Sequence, residues 1–270
     1  MSAGAVARAL RAYPTLLRVG LAGAVAYRAE MLIWMLTTTM PLVSLALWSA
    51  VAASAPIGRF GARDFTAYFL ATLIVRQLTG SWLVWEMNME IRNGSLSQRL
   101  LKPIHPLLVY SAENLAAIPL RALLCVPVAA LALVGAGGER FRAAPATLAL
   151  FAAALLGAWL LNFFTMALIG ALAFVMESST AIFQIYLAGF MIFAGYLVPL
   201  ELFPPALQQI AAVLPFRYTL AFPVEVVTGL LEPDAALRDL AIQWAFAVGT
   251  AAAALLAWRA GVRRFAAFGG

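Results

Sequence analysis

Charge is scarce in this sequence. Only 11% of its 270 residues are Asp, Glu, Lys or Arg, and 64% are hydrophobic, against about 25% and about 45–50% in soluble domains. The mean hydropathy of +0.92 agrees, and together these values speak against a soluble globular protein. The single cysteine, Cys125, excludes a disulfide framework and a cysteine-based metal site. With a single histidine, His105, neither a histidine metal cluster nor a proton relay of histidines can be built. Lys102 is the only lysine, and Pro103 follows it. A phosphate-binding Gly-x4-Gly-Lys-Ser/Thr loop needs a lysine to reach the terminal phosphates. The chain therefore has no cofactor of its own in this reading, and any ATP and Mg belong to a partner subunit. Nucleic-acid binding finds no support either. The +6 net charge has the simpler cause that basic residues gather at the cytoplasmic face of membrane proteins, and no basic patch with interleaved aromatics stands outside the apolar runs.

What fills the sequence is apolar runs. A membrane-crossing helix needs about 20 such residues, so there is room for about six spans. The pattern predicts an all-α polytopic membrane protein in a single transmembrane domain, 1–270. Residues 1–30 carry Arg8, Arg11 and Arg18 on one helical face with Val6, Leu10, Leu17 and Leu21 largely opposite. This suits an N-terminal interfacial amphipathic helix interrupted near Pro14, with a frayed basic tail as the alternative. Spans one to five occupy 31–198: about 31–53, 65–85, 107–134, 146–174 and 180–198, the third with kinks expected at Pro119 and Pro127. Region 199–239 is moderately polar. Pro204 and Pro205 open a helix with Leu207, Ile210, Ala211 and Leu214 on one face and Gln208 and Gln209 facing away, and Pro215 ends it. This reads as an outer re-entrant helical hairpin between spans five and six, or, for Phe216–Leu231, as a short seventh span. Span six is 240–258, and 259–270 is a basic cytoplasmic tail. With both ends inside, ten basic residues (Arg8, Arg11, Arg18, Arg28, Arg92, Arg99, Lys102, Arg259, Arg263, Arg264) lie inside and six (Arg59, Arg63, Arg140, Arg142, Arg217, Arg238) outside, as the positive-inside rule requires.

Few residues could do chemistry within those spans. Asp64, Asp234 and Asp239 map to loops or span ends, and His105 lies between prolines at a membrane edge. An intramembrane lipid-modifying enzyme remains the alternative class, poorly supplied with catalytic groups. Arg76 on span two and Glu113 and Arg121 on span three are costly charges at membrane depth, which usually face protein or water. Arg76 and Glu113 can pair across neighbouring spans. The three either line a polar route or form a structural ion pair, or Glu113 lies near the headgroups. Trp34, Trp82, Trp85, Phe163 and Phe164 suit an apolar route, although Trp is common at interfaces in any case.

The most polar stretch joins spans two and three, from Glu86 to Pro103. It has an apolar side in Ile91, Leu96, Leu100 and Leu101. Gly94 with Ser95 reads as a helix stop and restart, capped by Ser95 or Ser97. A short amphipathic helix at the membrane face suits docking to a soluble partner, and the alternative is a solvated loop. Glu90-Ile-Arg-Asn-Gly-Ser-Leu-Ser, followed by Leu100-Leu-Lys-Pro-Ile, resembles the permease subunits of type-2 ABC exporters, in particular a branch related to daunorubicin-export permeases. Leu214-Pro-Phe and Pro223 to Gly229 add to the resemblance, which spans essentially the whole chain. Arg76 departs from that pattern.

The resemblance implies a role for each element. Glu90, Ile91, Arg92, Gly94, Leu96, Ser97, Leu100 and Leu101 would form the coupling helix that sits in a groove of an ABC ATPase dimer. Two permeases, a second copy or a related chain, would face each other in a bacterial inner membrane among its lipids, with both termini cytoplasmic and spans two and five lining the route.

Overall fold

A computed structural model of the protein describes residues 3–27, 33, 39–123, 125, 127, 130, 141, 144–176 and 179–265, with side chains from residue 11 onward. Among the described residues there is no strand, only an isolated bridge between Ile57 and Phe60. The helices are α1 (Ala3–Ala26), α2 (Met40–Ala52), α3 (Ala62–Thr79), α4 (Leu83–Arg92), α5 (Leu96–Leu100), α6 (Pro106–Ala116), α7 (Pro145–Ala171), α8 (Thr180–Phe193), α9 (Pro205–Val213), α10 (Pro215–Thr219), α11 (Ala221–Val227) and α12 (Pro233–Val262). Proline opens the first turn of α6, α7, α9, α10 and α12, where its missing N–H is no loss and its fixed φ suits the helix.

Among the described residues three stretches are long and apolar enough to cross a membrane: Ala62–Arg92, Pro145–Phe174 and Pro233–Val262, of 31, 30 and 30 residues. At about 1.5 Å per residue each reaches about 45 Å, more than a hydrocarbon core of about 30 Å. Over its most apolar 18 residues the first is 72% buried in the protein, and the last 17%. Ala62–Arg92 is thus the central element of the bundle, and α12 presents most of its surface outward. α2 and α8 are apolar but only 13 and 14 residues long. Parts of the expected first and third spans (residues 28–32, 34–38, 124, 126, 128–129 and 131–140), the turn at 177–178 and the tail 266–270 lie outside the described residues.

α7 and α12 run parallel. Gly157 lies against Gln243, and further along Gly261 lies against Phe174. Gln243 is fully buried and donates to the Ala154 and Tyr218 carbonyls at 2.9 and 2.8 Å, tying α12 to α7 and α10. α1 crosses α6 closely at Gly20, and the Tyr13 hydroxyl is 2.9 Å from that of Ser111.

Several expectations need correction. α1 is not interrupted at Pro14; it continues through the proline to Ala26, packed on α6. The helix of span two does not stop at Trp85 but continues to Arg92, and it is broken earlier, at Gly80–Trp82. Span five stops at Phe193, because Gly195 adopts φ +73 and turns the chain. Phe216–Leu231 is not one helix: Leu220, at φ −146 and ψ −62, separates α10 from α11, and neither is long enough to cross a membrane. In α9 only Ala211 of the expected apolar face is buried, Leu207 and Ile210 are exposed, and the exposed Gln208 amide donates to the Glu201 and Phe203 carbonyls, both at 2.8 Å.

A β-carbon on Gly157 would stand 2.5 Å from Gln243 Oε1, whereas one on Gly249 meets nothing within 4 Å. Gly157→Val is expected to lower the unfolding midpoint in detergent, costing about 1–3 kcal/mol through overpacking, with Gly249→Val unchanged. Equal midpoints for both variants would refute the close approach of α7 and α12.

Candidate functional site

The polar stretch after Trp85 folds as α4, a tight turn and α5. Gly94 takes φ +77, a conformation that suits glycine and ends α4. The cap is not a serine side chain. Asn93 Oδ1 accepts from the Ser95 backbone N–H at 2.9 Å and from its hydroxyl at 2.7 Å, while the Ser97 hydroxyl donates to the Gly94 carbonyl. Asparagine tolerates this local ring of bonds better than most residues.

Arg99 on α5 then points back into the protein. Its Nε donates to both Glu90 oxygens at 2.8 and 2.9 Å, its Nη1 to both Glu113 oxygens at 3.0 Å, and its Nη2 to Glu86 at 2.8 Å. The guanidinium carbon lies 4.3 Å from the Tyr110 ring centre, and the Tyr110 hydroxyl donates to Glu90 at 2.6 Å. Burial alone would lower the Arg99 pKa. The bonds to Glu90 and Glu113 and the charges of Glu113 and Glu86 outweigh it and raise the pKa above the usual arginine range. A raised pKa means its stabilising charge is fully present at every pH below the ordinary arginine range.

This arrangement sorts the segment's residues. Ile91 and Leu96 are buried in the same apolar cluster as Met87, Leu107 and Trp258, and Leu100 packs against that cluster. Leu96 and Ile91 are therefore anchors, not part of an outward docking face. Arg92, Asn93, Gln98, Leu101 and Lys102 face outward, Leu101 at 87% exposure. Glu90 belongs to the internal cluster around Arg99. Gly94 and Ser97 shape the turn.

The three intramembrane charges do not form one group. Glu113 pairs with Arg99 and not with Arg76. Arg76 lies 5.0 Å from the Phe190 ring and hydrogen-bonds Tyr196. Arg121, buried, donates to the Gly80 carbonyl at 2.8 Å, and Asn162 donates to the Thr79 carbonyl at 2.9 Å. Both satisfy carbonyls freed by the break between α3 and α4. His105 is the N-cap of α6, its Nδ1 accepting from the Leu107 N–H at 3.2 Å. Burial and the Arg259 charge hold its pKa below the usual value, so it is neutral at pH 7.

At the opposite end of the bundle Arg217 meets Glu225 at 2.7 Å and Asp239 at 2.9 Å, joining α10, α11 and α12. Sequence reading did not anticipate this group, nor the parts played by Glu86, Tyr110 and Asn93. The spacing of Glu86, Glu90 and Glu113 around one arginine becomes visible only once α4, α5 and α6 are placed. Among the described residues no group of three or more His, Cys, Asp or Glu is set to hold a metal ion.

Arg99→Gln leaves three carboxylates facing one another. The expected loss is about 3 kcal/mol, the lower end for a broken buried pair, because Glu86 and Glu113 keep more than a third of their surface. The loss should shrink as pH falls, since protonating the carboxylates removes their repulsion. Unfolding in detergent at several pH values checks both the size and the sign. Arg99→Lys restores only part, because an ammonium cannot fork to three partners.

Residues 38–269 match the sequence model of a family described as ABC-2 family transporter protein. None of the curated proteins compared with the chain matches it. The match runs through the central helix, the Gly94 turn and the long α7 and α12, and the chain therefore belongs to the ABC-2 transporter family.

Proposed function

We propose that the chain is the membrane-spanning permease subunit of an ATP-driven exporter, and that it works as a dimer, with itself or a related permease, on a separate ABC ATPase. The observation that carries the ATPase coupling is the α4–turn–α5 unit. It is anchored from within by Ile91, Leu96 and the Arg99 cluster, and it presents Arg92, Asn93, Gln98 and Leu101 outward. A docking element that transmits force must be stiff relative to the body that carries it, and charge-assisted forked bonds supply that stiffness. An exposed leucine flanked by cations also fits the pattern of an interface anchor with a polar rim.

The energy source lies outside the chain, because Lys102, its only lysine, stands in no phosphate-binding loop. ATP and Mg would be held by the ATPase. Nucleotide-driven closure of the ATPase dimer would bias the permeases between two arrangements, with α4 carrying the displacement into the centre of the bundle. Outward export follows from the resemblance to exporter permeases and from short outer loops that leave no platform for a soluble binding protein. The excess of Arg and Lys at the α5 end supports cytoplasmic termini, and the resemblance to exporter permeases supports a bacterial inner membrane.

The test is mild-detergent affinity purification of the full chain from its host. A P-loop ATPase should co-purify in stoichiometric amount. Arg92→Glu with Leu101→Glu should weaken that association roughly tenfold or more while leaving the unfolding midpoint unchanged. Leu96→Asp should instead lower the midpoint. Undiminished ATPase binding by the double variant would overturn the placement of the docking face, and a wild-type chain that always purifies alone would overturn the ATPase pairing itself.

A further inference from the structure

A cavity of about 880 Å³ opens beside the Gly94 unit, between α6, α7 and the last turns of α12, with Tyr13 of α1 at its edge. That volume lies within the range of small-ligand sites. One wall is aromatic and aliphatic: Trp159, Phe163, Phe164, Leu255 and Trp258. Trp159 and Phe163 stack at 5.2 Å between ring centres, and Trp159 Nε1 is fixed by Asn114 at 3.0 Å, so the wall is rigid. Arg259 and Arg263, one helical turn apart, line the same cavity and bring it positive charge. No carboxylate among the described residues lines it.

Cations are favoured near any helix C-terminus, but that does not explain the division of labour here. Arg259 and Arg263 line the cavity, while the neighbouring Arg264 does not. The side chains thus offer an apolar trough with two positive charges at its mouth and no internal counter-ion. This end of the bundle also carries Arg92, Arg99, Lys102 and Arg264, the end that the positive-inside rule places at the cytoplasmic leaflet. Anionic lipids concentrate in that leaflet.

We infer that the cavity is a binding site for one anionic glycerophospholipid of the cytoplasmic leaflet. The phosphate sits between Arg259 and Arg263, and an acyl chain lies along Trp159, Phe163 and Leu255. The site sits next to His105 and the base of α6, so an occupied cavity braces α6 and α12 against each other. The inference rests on the chain lying in a membrane and is independent of the ATPase pairing.

The test uses the full chain, delipidated in a zwitterionic detergent. Phosphatidylglycerol is titrated in mixed micelles while the unfolding midpoint is followed, with native mass spectrometry to count retained lipid. Phosphatidylglycerol should raise the midpoint saturably, with one lipid retained, and phosphatidylcholine should not. Arg259→Gln with Arg263→Gln should shift the titration about tenfold or more, the scale that two membrane-facing cations supply. Arg264→Gln with Lys102→Gln removes the same charge from the same face outside the cavity and should leave the titration unchanged. Equal shifts in both double variants would reduce the effect to general surface attraction and overturn the site. Equal stabilisation by phosphatidylcholine, or no lipid effect at all, would overturn it as well. A midpoint raised by inorganic phosphate alone would make it a soluble-anion site and refute the lipid assignment.

Discussion

Three carboxylates converge on one arginine at the end of the central helix, and much of that end of the protein depends on the pairing. Glu86 and Glu90 come from α4, Glu113 from α6, and Arg99 from α5, with Tyr110 closing the ring. Without the cation the acids would repel one another and α4 could not approach α6. With it, the two helices and the turn between them become a single body. α6 in turn carries α1 through Gly20 and Tyr13, so the N-terminal helix is registered to the same body at one remove.

The other end of the bundle solves a related problem with the signs arranged similarly. Arg217 is held by Glu225 and Asp239 and joins three helices, two of which are too short to be stable alone. Between the two ionic groups the long helices approach closely at glycines, Gly157 of α7 against Gln243 and Gly261 of α12 against Phe174. Polar pairing therefore fixes the ends, and small residues fix the distance between the long helices. The parallel run of α7 and α12 requires an odd number of membrane crossings between them, and α8 is the apolar helix that lies there.

Some of this is legible in the chain and some is not. Long apolar runs announce α3, α7 and α12 because hydropathy is a property of a segment. Gly94 and the helix-opening prolines are legible because their backbone preferences are local. The partner of a charge is not local. Glu113 is close in sequence pattern to being a partner for Arg76, yet α5 delivers Arg99 to it first. Pattern alone does not give the outward face of α5. A five-residue helix has too few positions to show a face, and of the two leucines at its ends Leu96 is buried and Leu101 exposed. In α9 the Gln208 amide satisfies two carbonyls that no periodicity reveals. The family match supports the general class of the chain, and the finer reading of the Gly94 unit rests on which side chains it buries.

The gap between α3 and α4 has a consequence of its own. In hydrocarbon an open carbonyl has no water to turn to, so a helix broken in mid-bilayer is unstable unless something else supplies donors. Here the donors are Arg121 and Asn162, which belong to the chain after α6 and to α7. The break is therefore a property of the assembled bundle and not of the segment that contains it. Inserted by itself, 62–92 would gain by closing its own ladder into an unbroken rod. The bent form comes into existence only when its neighbours arrive, and it is the neighbours' side chains that hold the bend open.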